Sequence, residues 1–213
     1  NGNGERDTAL GTEYIEQTLC KSFPMISMTY SGFGYGPIFT DRRSPLTVMT
    51  LVRGQKYLFD RVTEIQESPI ENLFNKFTIR YAFNAATNNF DKLITAEPEN
   101  NYTCEISRTK FGFREQAPLD SVVIYDDATA RYVVDWLAAH YSLPSYYVEY
   151  EAAAGLFFAL QVGDNVKITD DKLGITEVVC TVEKISYTHS RCVLGVRMWL
   201  SYERGLPSAA AIG

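Results

Sequence analysis

Beyond residue 145 the sequence settles into one rhythm. Five runs rich in β-branched and aromatic residues follow one another with short polar breaks: Tyr146 to Tyr150, Leu156 to Val162, Asn165 to Thr169, Glu177 to Tyr187 and Arg191 to Leu200. Gly163-Asp164 and Asp170 to Gly174 supply turn chemistry, and Thr188-His189-Ser190 joins the last two runs as a hairpin. Side chains of these types pack well on a pleated surface. Five strands at this spacing are expected to build a small barrel or sandwich.

The sequence before this region is mixed. Thr8 to Ser22 reads as a helix, because Leu10, Tyr14, Ile15, Thr18 and Leu19 recur at three- and four-residue spacing. Phe23-Pro24 stops it. Met25 to Tyr30 reads as a strand. Ser31 to Pro37 alternates Gly with other residues and reads as a loop. No helix pattern or Lys-Ser/Thr pair follows, so it is not read as a phosphate cradle. Pro45 to Val52 suits helix or strand, and a β unit is expected at Tyr57 to Ile65. The polar, Pro-containing stretch Gln66 to Phe74 marks an expected domain boundary.

Lys76 to Phe83 is a strand, with Phe77, Ile79, Tyr81 and Phe83 on one face. Tyr102 to Ser107 reads as another. Loops are expected at Asn84 to Asn89, Glu97 to Asn101 and Lys110 to Pro118. Asp126-Asp127 then caps a helix through Tyr141, with a stripe of Val133, Val134, Leu137, Ala138 and Tyr141. The expected fold class is therefore mainly β (α+β). It places a small β-barrel domain at 68–202, with one inserted helix at 127–141. A smaller α+β domain at 1–67 precedes it, and a loose tail at 203–213 follows.

Composition narrows the function. The chain has 213 residues, of which 46% are hydrophobic and 22% charged, so its body is expected to fold. A net charge of −6 argues against a general nucleic-acid binder, and the densest basic cluster is only Arg42-Arg43. No apolar run approaches the roughly 20 residues that span a bilayer. Asn1-Gly2-Asn3-Gly4 is neither an initiator Met nor a signal peptide, so a fragment or processed product is expected. Fourteen Tyr, twelve Phe and two Trp suit strand surfaces and protein contacts.

Catalytic chemistry is hard to find. His140 and His189 lack partners at catalytic or metal-like spacing, and both read as structural. Cys20, Cys104, Cys180 and Cys192 fit no zinc motif and read as buried free thiols, with pairing of Cys180 and Cys192 left open. Asp126-Asp127 reads as a cap. Asp170-Asp171 sits in a turn without the ligand pattern of a calcium loop, so a solvated turn is expected. No Gly-x-Ser-x-Gly elbow occurs. Asn101-Tyr102-Thr103 fits a glycosylation sequon and reads as chance. The chain is read as a non-enzyme with no catalytic, cofactor-binding or metal-ligating residues.

Four segments carry a family resemblance: Asn75 to Tyr81, Ala128 to Leu137, Leu160 to Ile168 and Val178 to Ile185. Their order resembles that of the tail-hub proteins of tailed bacteriophages, prophages and gene transfer agents. There an Ala-led helix precedes a Leu-x-x-Gly-Asp-x-Val strand pair, matched here by Leu160, Gly163, Asp164 and Val166. The resemblance covers residues 70 to 200, with a looser likeness over the first 67. It implies a ring-forming homotrimer at the tail tip that joins tube to spike or fibre and takes part in host attachment and DNA delivery. It further implies contacts with other tail or baseplate proteins, assembly in the bacterial cytoplasm and no cofactor. Two other readings stand beside it. One is a carbohydrate- or receptor-binding β module using Phe33 and Tyr35. The other is a hydrolase whose paired carboxylates meet only in space.

Overall fold

The computed structural model describes residues 14–31, 34–39, 46–188 and 191–199. In chain order these form β1 (Ile26–Ser31), β2 (Gly34–Phe39), β3 (Met49–Val52), β4 (Leu58–Glu67), β5 (Phe77–Asn84), β6 (Asn89–Ala96), α1 (Tyr102–Phe111), β7 (Leu119–Asp120), α2 (Asp127–Tyr141), β8 (Ser145–Ala152), α3 (Leu156–Ala159), β9 (Asn165–Asp170), β10 (Ile175–Thr188) and β11 (Arg191–Trp199). A π-helical stretch at Ile15–Cys20 lies within the helix expected at Thr8 to Ser22, whose residues 8–13 lie outside the described residues. The protein is mainly β, of the α+β class.

Six strands form one sheet in the order β3-β9-β10-β11-β8-β4. Alternation gives each strand one inward face. Val148 and Tyr150 of β8, Leu194 and Val196 of β11, Val182 of β10, Ile168 of β9, Leu51 of β3 and Leu58 of β4 all join a single core. The sheet therefore curls around its own side chains. It stops short of the expected barrel. Its edge strands meet only at isolated bridges from Arg53 and Gln55 to Leu58.

This sheet crosses the boundary expected at residue 67. β3 runs parallel to β9, with Met49 opposite Val166, and β4 runs antiparallel to β8, with Ile65 opposite Val148. The reason is burial: Leu51 and Leu58 are apolar and reach water-free surroundings only in the core built by residues 148–198.

A second core lies across the polar linker. The three-stranded sheet β6-β5-β7 packs its Phe77, Ile79 and Tyr81 against Ala130, Val133, Val134 and Leu137 of α2, with Met25 from the N-terminal segment. The Asp126 carboxylate accepts from the Thr129 amide at 2.7 Å and caps α2, as expected. Asp127 has a separate task. It accepts from the Tyr81 hydroxyl at 2.9 Å and the Lys92 ammonium at 2.7 Å, which pins the helix start to β5 and β6.

Several local expectations change. Ser31 to Pro37 is not a loop throughout: from Gly34 it is β2, which pairs antiparallel with β1, Thr29 opposite Gly36. Tyr102 to Ser107 is not a strand but most of α1. The Asn101 side chain accepts from the Thr103 and Cys104 amides, and Gly112 follows the helix with φ +76°. These end signals outweigh the strand preference of Tyr, Thr, Cys and Ile. Leu156 to Val162 is the short helix α3 followed by a turn, in which the Gln161 amide donates to the Asp164 carboxylate at 2.7 Å. Asn84 to Asn89 is the turn of a hairpin whose second strand, β6, went unread. The last hairpin is as expected, with Thr188 opposite Arg191.

Candidate functional site

Where the linker between the two cores passes the end of α2, a cleft of about 360 Å³ remains open. Its walls come from three places in the sequence. The linker contributes Glu67, Ser68 and Asn72, the last turn of α2 contributes His140 and Tyr141, and the outer face of the curled sheet contributes Ser145, Tyr147, Glu183, Arg197 and Trp199.

The alternation that buries Val148 and Val196 turns Tyr147 and Arg197 outward, and these two residues are register partners. Arg197 donates from Nε and Nη2 to both carboxylate oxygens of Glu183, at 2.5 Å and 2.9 Å, and from Nη1 to the Ser145 hydroxyl at 3.1 Å. The same guanidinium lies 5.7 Å from the Tyr147 ring centre and 5.8 Å from that of Trp199. Tyr141 meets Trp199 edge-on at 6.5 Å. Burial pushes the Tyr141 hydroxyl above the ordinary tyrosine range, so it stays protonated.

His140 forms the floor. It is 2% exposed, stacked on Trp136 at 3.9 Å and edge-on to Trp199 at 4.6 Å. Its Nδ1 donates to the Trp136 carbonyl at 2.8 Å. His189 and Phe33 lie outside the described residues.

Next to the cleft, β11 carries Gly195 between Glu149 of β8 and Lys184 of β10. A Cβ at Gly195 would collide with the Tyr147 hydroxyl. With that space free, the Glu149 carboxylate accepts from both the Tyr147 hydroxyl at 2.7 Å and the Lys184 ammonium at 2.6 Å. Burial alone would raise the Glu149 carboxyl, but these two donors outweigh it and hold it below the usual carboxylate range. Burial, then the Glu149 hydrogen bond, drives the Tyr147 phenol well above its usual range.

The expected solvated turn at Asp170-Asp171 holds only for Asp171. Asp170 is fully buried, and its carboxylate accepts from Arg53, the Tyr150 hydroxyl at 3.1 Å and the amides of Lys172 and Leu173. Arg53 also reaches the Asp60 carboxylate of β4, so one guanidinium clasps the corner where the sheet fails to close. Burial, then Asp170, drives the Tyr150 phenol far above its ordinary range.

No disulfide joins any two of the four cysteines. Cys180 stands opposite Met198, six positions along β11 from Cys192, which is about 20 Å at 3.3 Å per residue. Burial pushes the Cys104 thiol up to about 11. Among the described residues no three His, Cys, Asp or Glu side chains gather as metal ligands, and no helix is long and apolar enough to cross a membrane.

Comparison with solved structures gives this arrangement a context. A chain in the virion of a native gene transfer agent particle is similar over 91% of this chain and 40% of its own length, at 12% identity and a TM-score of 0.54. Its fold is shared. Prophage tail protein gp18 from Listeria monocytogenes EGD-e is similar over 86% of this chain and 51% of its own, at 17% identity and a TM-score of 0.47. The 43 kDa tail protein of prophage MuSo2 from Shewanella oneidensis is similar over 87% and 53%, at 15% identity and 0.46. The chain thus spans about half the length of the solved structures it matches. No protein-family model matches the sequence, and no curated protein matches it. The resemblance drawn from the sequence holds at the level of fold.

Proposed function

We propose that this chain is a structural component of a phage-type tail, and within it of the tail-tip or baseplate hub. Copies form a trimeric ring that joins the tail tube to a spike or fibre, and the chain catalyses no reaction. The observation that carries this reading is the fold shared with a gene transfer agent virion chain along nearly the whole sequence.

Two features of the molecule support an assembly role. Among the described residues β3 and β4 are the edge strands of the curled sheet, and such edges are ready templates for another chain. Exposed aromatic side chains also cluster at α3 and the end of β10: Phe158 is 83% exposed and lies 5.4 Å from Phe157, which in turn lies 5.9 Å from Tyr187. A net charge of −6 suits a ring through which DNA passes without adhering.

Light scattering on the protein as its gene encodes it is expected to give three times the chain mass, and antibody labelling of particles is expected at the tail end. A monomer together with label on the capsid, or on no particle, overturns the reading.

A further inference from the structure

A sheet edge offers unpaired N–H and C=O groups to any extended chain, and folded proteins guard such edges with charges, prolines, bulges or short strands. The edges of the two larger sheets are guarded unequally. β4 carries Asp60, Arg61, Glu64 and Glu67, and its register shifts between Leu58 and Val62 and again between Val62 and Glu64. β6 carries Asp91 and Lys92, and β7 is two residues long. β3 is different. Leu46 to Val52 reads Leu-Thr-Val-Met-Thr-Leu-Val, without charge, Pro or Gly and rich in strand-forming types. Its register against β9 runs without a shift from Met49 to Val52, so shortness is its one guard.

This edge is open among the described residues. β9 occupies one side of β3, and the bridges to Leu58 begin only at Arg53, past its end. Val48 is 52% exposed, and Thr50 is exposed as well. The nearest charge, Arg53, is turned to Asp60 and Asp170.

A partner strand bearing charges would set them against Val and Thr, so the edge favours an uncharged one. Residues 48–52 are themselves such a strand, and they are self-complementary. Antiparallel pairing about a twofold axis through Thr50 sets Val48 opposite Val52, Met49 opposite Leu51 and Thr50 opposite Thr50. Met49 and Leu51 both line the core, whereas Val48 and Thr50 face outward, so directly opposed residues share a face. Pairs of β-branched residues, and Thr with Thr, stabilise such a ladder.

We propose that the β3 edge is a self-pairing site, through which two copies of this chain join antiparallel over residues 48–52 and continue one curled sheet into the other. The contact is isologous and closes on itself, so it is distinct from the ring contact and does not depend on the tail reading. Five residues a side fall far short of the roughly 1,200 Å² of a stable interface. The pairing is therefore populated at high protein concentration and leaves the mass of the dilute protein unchanged.

Directly opposed residues in an antiparallel pair have Cα atoms about 4.5 to 5.5 Å apart, within disulfide reach. Thr50→Cys is therefore made in a Cys20→Ser background, where the three remaining native cysteines are buried. Diamide oxidation of the concentrated protein, read on a non-reducing gel, is expected to give a species of twice the chain mass. Arg61→Cys, exposed on the guarded β4 edge, is the control. Pairing raises the effective concentration of the two thiols, so Thr50→Cys should link at least about tenfold faster than Arg61→Cys. Adding Val48→Lys to Thr50→Cys should remove that advantage while leaving the melting temperature unchanged. Equal rates for Thr50→Cys and Arg61→Cys, or a rate that Val48→Lys does not alter, overturn the proposal.

Discussion

At Gly163 the backbone takes φ +95°, and a Cβ there would collide with Cγ2 of Ile38 on β2. Its amide donates to the Val182 carbonyl at 2.8 Å, so the turn is bolted to β10. Gly174 also has positive φ, +67°, but faces open space. Gly163→Ala is therefore expected to lower stability by more than about 1 kcal/mol, and by more than Gly174→Ala, in urea unfolding. Equal losses would place the whole effect in the backbone angle. Glu149 gives a pH-dependent counterpart. Its folded carboxyl is held below the unfolded value of about 4.3. Its ionic contribution is thus fully present above that value and is lost as pH falls through the folded one. Glu149→Gln is expected to cost about 1.5 kcal/mol at neutral pH, a modest figure because Lys184 is half exposed. The gap to the parent protein should narrow as pH falls below the unfolded value of about 4.3. A gap independent of pH would locate the loss in packing.

Among elements, α1 and α2 are capped in the same way and were read differently. Asp126-Asp127 ahead of an apolar stripe announces α2 plainly, and the structure assigns the two carboxylates separate tasks. Asn101 ahead of Tyr102, Thr103 and Ile106 suits a loop before a strand by residue type, yet Glu105 in the first turn, Arg108 and Lys110 in the last and Gly112 beyond are all helix signals. Asn101→Ala is expected to cost about 1 kcal/mol, seen as lower melting temperature and faster amide exchange in α1. Asn101→Ser should recover part of that stability, because it retains a cap acceptor, whereas Asn101→Asp would set a second carboxylate against Asp135, to which the Asn101 carboxamide donates at 3.3 Å. No comparable end signal marks α3, whose single turn depends on Leu156 being buried in the curled sheet's core.

For the molecule as a whole, the two cores do not divide the chain into consecutive halves. β3 and β4 supply both edges of a sheet whose other strands begin some eighty residues later, and Arg53 ties β3 to Asp170 at the end of β9 and to Asp60 on β4. A chain starting at residue 68 would expose the flanks of β8 and β9 and leave the Asp170 carboxylate without its guanidinium. Residues 68–199 alone are therefore expected to lack a cooperative transition in the 145–199 region, read by dispersion of backbone amide resonances and by urea melting. A native-like spectrum from that segment would show that the boundary expected from composition is also a folding boundary.

Local chemistry was enough to determine much of this protein. Alternation in 76–83 and 191–199, the Asp126 cap, the stop at Ser142 and the turn at Gly163-Asp164 all act over a few residues, so they are visible in the chain itself. Mainly β character followed from that level. The curl of the sheet and its failure to close, the burial of Asp170 and the cleft did not. The cleft joins residues 66–73, 140–147 and 183–199, and no spacing relates Asn72 to Trp199 or Tyr141 to Arg197. Abundant Tyr and Phe hinted at a binding surface, but only the register of β8 against β11 sets Tyr147 beside Arg197 on the outer face. Sequence patterns specify which face of an element is apolar. Which elements then meet depends on burying those faces together, and that balance is struck only in the folded chain.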